Sequence, residues 1–111
     1  MRQLSVENLE SILNGSPLYS QENLLDKAKI LAHFFIPFTD CNWLITEAER
    51  QEDGDWLMFG YCHITDWEWG YVSLKELLDI KIRNILSVQI KEESKGKSIE
   101  RFFLMRYFFI Y

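Results

Sequence analysis

Cysteine is almost absent. The 111 residues hold two, Cys41 and Cys62, in no C-x-x-C pair. Two thiols cannot build a disulfide framework, so reduced cysteines in a cytoplasmic setting are expected. Glycine (five) and proline (two) are sparse, and no internal repeat, low-complexity segment or linker divides the chain. A single domain over 1–111 is the expectation. No G-x-x-x-x-G-K or G-x-G-x-x-G loop is present to cradle a phosphate. No apolar run approaches ~18 residues, which leaves no transmembrane helix. Met1-Arg2-Gln3-Leu4 lacks an apolar h-region, so no signal peptide is expected.

Bases are also in short supply. Twelve Lys and Arg face seventeen Asp and Glu, a net charge of −5. The imbalance is uneven: residues 1–80 carry −9 and residues 81–111 carry +4. An acidic body argues against binding a phosphate backbone directly. What the chain has in quantity is rings, with eight Phe, five Tyr and four Trp. Large rings dominate core and interface energetics, so this many on a short chain points to a surface that binds something.

Ser5 caps an expected helix over 5–14, whose Leu9, Ile12 and Leu13 form one apolar face and which Gly15 stops. Asn23 is positioned to cap one turn through Lys27. Residues 29–36 alternate as a strand with both faces apolar, a central strand closed by Pro37. Residues 41–48 and 56–62 read as two further strands around the polar hairpin loop 49–55. Gly60 marks a bulge or a close backbone approach. A short strand over 68–72 leads to Ser73-Leu74-Lys75-Glu76, a capping box opening a helix with Leu74, Leu77 and Leu78 buried. Residues 85–91 read as one more strand and 93–97 as a turn. The tail 99–111 is continuously apolar and fits a strand or a helix equally well. The sum is an α+β fold: a small antiparallel sheet of three to five strands, meander-like, with two or three short helices packed on one side.

The middle of the chain resembles a known family. The residues are His33-Phe34-Phe35-Ile36-Pro37, Trp43-Leu44-Ile45-Thr46-Glu47, Phe59-Gly60-Tyr61 and Glu68-Trp69-Gly70-Tyr71-Val72-Ser73-Leu74-Lys75-Glu76-Leu77. Their order and spacing over 17–80 resemble the family known as domain of unknown function 2958, small bacterial proteins often carried on mobile elements. The resemblance implies a cytoplasmic accessory protein of a plasmid or phage and carries over no catalytic residue.

Several constellations compete for a role. His33, Cys41, Cys62 and His63 are metal-ligand types, but none stands at ligand spacing, and zinc needs about four in tetrahedral array; ordinary strand residues are the better reading, and no metal or cofactor is expected. Glu47, His63 and Glu68 are the residues on which a small acid–base enzyme would be built. Cys62 as a nucleophile fails beside His63, since neighbours in a strand point to opposite faces. The acidic stretch 47–69 is the most suggestive. Glu47, Glu49, Glu52, Asp53, Asp55, Asp66 and Glu68 stand against one base, Arg50, with Trp56, Trp67 and Trp69 among them. Clustered carboxylates imitate a phosphate backbone and attract a nucleic-acid-binding protein. Against this stands a plain solvated hairpin. In the tail, Phe102, Phe103, Tyr107, Phe108 and Phe109, if exposed, call for a partner or a second copy of the chain.

The functional expectation is a non-catalytic binding protein with a protein partner, in its concrete version an inhibitor of a host nuclease defence (CRISPR or restriction). Its contact set is Glu47, Glu49, Glu52, Asp53, Asp55, Asp66, Trp67 and Glu68. No membrane association and no direct nucleic-acid binding are expected. The alternatives are the acid–base enzyme and a homo-oligomeric structural protein held by the tail.

Overall fold

The alternating apolar residues of 42–63 place two long strands at the centre of the fold. The computed structural model describes residues 4–82 and 86–110, without the side chains of 82 and 106–110. The strands are β1 (Ala32–Phe35), β2 (Asn42–Arg50), β3 (Trp56–His63), β4 (Trp67–Ser73), β5 (Lys81–Ile82), β6 (Leu86–Ser87) and β7 (Gln89–Ile90). Five of them form one antiparallel sheet in the order β4-β3-β2-β1-β7, and β5 pairs with β6 beside it. The first four strands are a meander, and β7 returns to cover the outer side of β1.

Helix α1 (Val6–Leu13) begins where the Ser5 side chain accepts the Asn8 N–H. Helix α2 (Leu74–Leu78) begins where Ser73 accepts the Glu76 N–H, as the capping box requires. Both lie on one face of the sheet, where Leu9, Leu13, Leu74 and Leu77 pack on Phe34, Trp43, Ile45 and Met58. The ambiguous tail is a third helix, α3 (Ile99–Ile110), and it takes the opposite face. There Ile99 packs with Ile30 and Leu44, Phe103 meets the rings of Tyr61 and Trp67, and Phe102 meets His33 of β1. Tyr107, Phe108 and Phe109, proposed for self-association, lie outside the described side chains.

Three local expectations change. The strand expected over 29–36 is shorter because the chain bends at Leu31: Ile30 packs on the α3 side, while Leu31 and Ala32 both pack on the α1 side. The strand expected over 85–91 divides into β6 and β7, with Val88 turned into the core between them; Ile85 is outside the described residues. Asn23 caps nothing, since the 3₁₀ turn Leu25–Lys27 starts at Leu24 without a side-chain cap.

The register of β2 against β3 shifts between Ile45 and Glu47, so Thr46 is the extra residue of a bulge. Its carbonyl is not left bare. Ser16 Oγ and Gln21 Nε2 donate to it, each at 2.7 Å, and the Ala48 N–H donates to the Ser16 carbonyl at 2.8 Å. The bulge is therefore the dock for the segment 16–21, and it re-aims Glu47 toward that segment. Gly60 sits across from it. A Cβ at Gly60 would overlap the Leu44 carbonyl and approach the Ile45 Cα to 2.7 Å.

Candidate functional site

Alternation along β3 and β4 puts every second side chain on the face away from α1 and α2. The cross-strand pairs on that face are Phe59–Tyr71, Tyr61–Trp69 and His63–Trp67. Their rings form a continuous ladder. Tyr71 lies 4.9 Å from Phe59, Phe59 stacks on Trp69 at 5.6 Å, Trp69 lies 5.0 Å from Tyr61, and Tyr61 stacks on Trp67 at 5.2 Å. At the Trp67 end, Phe103 of α3 closes the ladder edge-on at 4.9 Å. At the other end Tyr71 stays open, 54% exposed. Ring pairs of this kind add ~0.5–1.5 kcal/mol each beyond burial, so the ladder is stiff.

Strand β4 ends the strand order, and no described residue pairs with its outer side. It carries neither Lys nor Pro, the residues that blunt exposed edges. Beside Tyr71, the exposed Tyr19 holds a left-handed backbone at φ 72. Desolvation, a hydrogen bond with Tyr19 and the nearby charges of Tyr19, Glu47 and Glu22 hold the Tyr71 hydroxyl above the ordinary phenol pKa. Exposed rings and negative charge thus coincide at this end of the face.

The acids proposed from the sequence do not form one patch. The hairpin holding Glu52, Asp53 and Asp55 and the turn holding Asp66 lie at opposite ends of β3, about 25 Å apart at the rise of an extended strand. Glu68 pairs with Cys62 and so faces away from the ladder. Glu49 is exposed on the ladder side, at the end of β2. Glu47 is buried, with Oε1 accepting the Tyr19 N–H at 2.8 Å and Oε2 the Gln21 N–H at 2.9 Å. Trp56, grouped with Trp67 and Trp69 in the sequence, sits in the core on the other face.

Asp55 is also committed internally. It accepts hydrogen bonds from the Ser73 hydroxyl and from the Lys75 and Trp56 N–H groups, and so ties the β2–β3 hairpin to the start of α2. Burial alone would raise its pKa, but those bonds and the Lys75 charge outweigh it and hold the carboxyl below its ordinary value. The stability it contributes is therefore complete above the ordinary Asp pKa of ~3.9 and is lost as pH falls through the lower folded-state value. Asp55→Ala is expected to cost about 1–2 kcal/mol at neutral pH, with the difference from the parent shrinking in acid, by urea denaturation across pH 2–7.

The enzyme reading on Glu47, His63 and Glu68 does not assemble. Glu47 pairs with Phe59, four positions (about 13 Å) along β3 from His63, and Glu68 is on the other face. Among the described residues no three of His, Cys, Asp and Glu converge on a metal-sized site. Burial pushes the Cys62 thiol up to about 12, so it stays protonated and unreactive at neutral pH.

Sequence reasoning missed a buried hydrogen-bond chain on the β1 side. Asn42 Nδ2 donates to the Asp40 carbonyl at 3.0 Å, which turns Oδ1 toward His33 Nε2 at 2.7 Å. His33 Nε2 therefore donates to Asn42, and Nδ1 shares a hydrogen bond with the Ser94 hydroxyl at 2.8 Å. The same Asp40 carbonyl accepts from His63 Nδ1 at 2.9 Å, and the His63 ring lies 5.2 Å from Trp67. Ser94 and His33 are 61 positions apart, so no spacing signature announces them. The trio has the layout of a nucleophile, a base and its orienting partner. The N–H groups of Lys95, Gly96 and Lys97 after Ser94 already donate to the carbonyls of Glu92, Ile30 and Ser94, so these three are not available to meet an oxyanion.

A family model described as protein of unknown function (DUF2958) matches residues 4–99, and the chain belongs to that family. No curated protein and no solved structure matches it.

Proposed function

We propose that the protein is a non-catalytic binding module whose ladder face and free β4 edge receive an extended, basic segment of another protein. The observation that carries this is the ladder itself: five rings in contact from Tyr71 to Trp67 across β3 and the edge strand β4, open at the end where the exposed Glu22 supplies negative charge. Exposed ring faces attract Arg and Lys. An open edge supplies main-chain hydrogen bonds to an added strand. A carboxylate beside both selects a cationic partner over an acidic one. The setting implied by the family resemblance is a bacterial mobile element. In that setting the finer proposal is a nucleic-acid-binding or nuclease protein of the host's defences as partner, engaged through its basic surface.

Fluorescence anisotropy of a labelled twelve-residue Arg-rich peptide tests the recognition chemistry. Micromolar binding is expected, weakening steeply between 50 and 300 mM salt and falling about ten-fold in Tyr71→Ala, since one exposed ring at a binding face is worth about 1–2 kcal/mol. Equal binding of a Glu-rich peptide, or an unchanged Kd in Tyr71→Ala, would overturn the reading.

A further inference from the structure

The hydrogen-bond chain around His33 forms the floor of a cleft of about 470 Å³ between β1, the segment 91–97 and α3, separate from the ladder face. The floor is buried and hydrogen-bonded. His33 is 2% exposed and both ring nitrogens are engaged, and Phe102 of α3 meets the imidazole edge-on at 5.2 Å. The charges are at the rim. Lys91 and Lys97 both line the cleft, with Lys91 Nζ 4.6 Å from the Phe35 ring centroid. Among the described residues neither is ion-paired with a carboxylate. The rim also holds Phe38, 97% exposed with a left-handed backbone at φ 65. A bulky residue at positive φ is a genuine outlier, and a phenyl ring left wholly in water forgoes ~1.5–3 kcal/mol of burial.

We propose that this cleft binds a flat-ringed anion of mononucleotide size, a nucleoside monophosphate. The ring stacks on Phe38, which gains the cover it lacks. The phosphate is met by the Lys91 and Lys97 ammoniums, whose charge-assisted bonds are the strong ones available at the rim. Glu93, also lining the cleft, accepts from the sugar hydroxyls. A bare phosphate leaves the rings unused and a bare nucleoside leaves the cations unused, so affinity requires both halves. The volume lies within the ~300–1,000 Å³ usual for small-ligand sites.

Isothermal titration of the full chain with AMP, adenosine and inorganic phosphate tests this. AMP is expected to bind at least about ten-fold tighter than either half, the worth of one lost stacking or charged contact. Lys97→Gln and Phe38→Ala are each expected to weaken AMP about five-fold or more while leaving the thermal melt in place, as both side chains are at the rim. Absence of AMP binding up to millimolar concentration would overturn the proposal. So would phosphate alone binding as tightly as AMP, or full AMP affinity in Phe38→Ala. Peptide binding at the ladder face is read separately and stands or falls on its own.

Discussion

Gly60→Ala is expected to destabilise the fold severely, while Gly70→Ala, at the residue paired with it, is expected to be nearly silent. The added methyl at Gly60 would stand on backbone, overlapping the Leu44 carbonyl and within 2.7 Å of the Ile45 Cα. A side chain in the way could rotate, but a strand backbone cannot move without separating β2 from β3. Overpacking costs about 1–3 kcal/mol in ordinary cores and more where nothing yields. Here we expect more than about 3 kcal/mol, a large part of the ~5–15 kcal/mol that holds a domain together. At Gly70 nothing lies within 4 Å of the added Cβ. Urea denaturation of the pair gives the comparison, and a Gly60→Ala protein within ~0.5 kcal/mol of the parent would contradict the bulge geometry.

The second large effect is expected at Glu47. Both of its oxygens accept backbone N–H groups, from Tyr19 and Gln21, and the residue is buried. Glu47→Ala leaves two amides without their acceptor and removes a charge-assisted pair, for about 3 kcal/mol or more. Glu47→Gln keeps one acceptor but turns an NH₂ toward an N–H, so about half of that loss is expected. Native-state hydrogen exchange reads the effect locally, with the Tyr19 and Gln21 amides losing protection first. Unchanged stability with a loss of partner binding alone would return Glu47 to the role its sequence setting suggested.

Where the chemistry is local, the fold was legible in the sequence. Ser5 and Ser73 cap their helices because the orphan N–H groups lie three residues on. The polar loop between two alternating runs could only be a hairpin, and Gly60 announced a close approach. Its cause, the Thr46 bulge on the neighbouring strand, depends on cross-strand register and left no mark. The tail helix was unreadable for a related reason: the apolar residues of IERFFLMRYFFI run together between Glu100, Arg101 and Arg106 and show neither period clearly. Only packing against Ile30, Leu44 and the β3–β4 rings selects the helix.

The candidate site was half legible. Trp67 was named, but charge density drew attention to the acids and away from the period-2 ring pattern that Phe59, Tyr61, Trp67, Trp69 and Tyr71 share. Counting acids along 47–69 ignored the hairpin that sends them to opposite ends of the sheet. The cleft floor could not be seen at all, because Ser94, His33 and Asn42 come from separate strands and a turn.

If the ladder face binds a basic extended segment, the four tryptophan side chains report it. Trp43 and Trp56 are buried in the core on the α1 side, while Trp67 and Trp69 lie on the ladder. Two-dimensional ¹H–¹⁵N spectra of the labelled protein, titrated with the Arg-rich peptide, follow all four indole N–H signals at once. The Trp67 and Trp69 signals are expected to move together with the β4 amides, while Trp43 and Trp56 stay in place. Movement of all four, or of none while the peptide binds elsewhere, would contradict it.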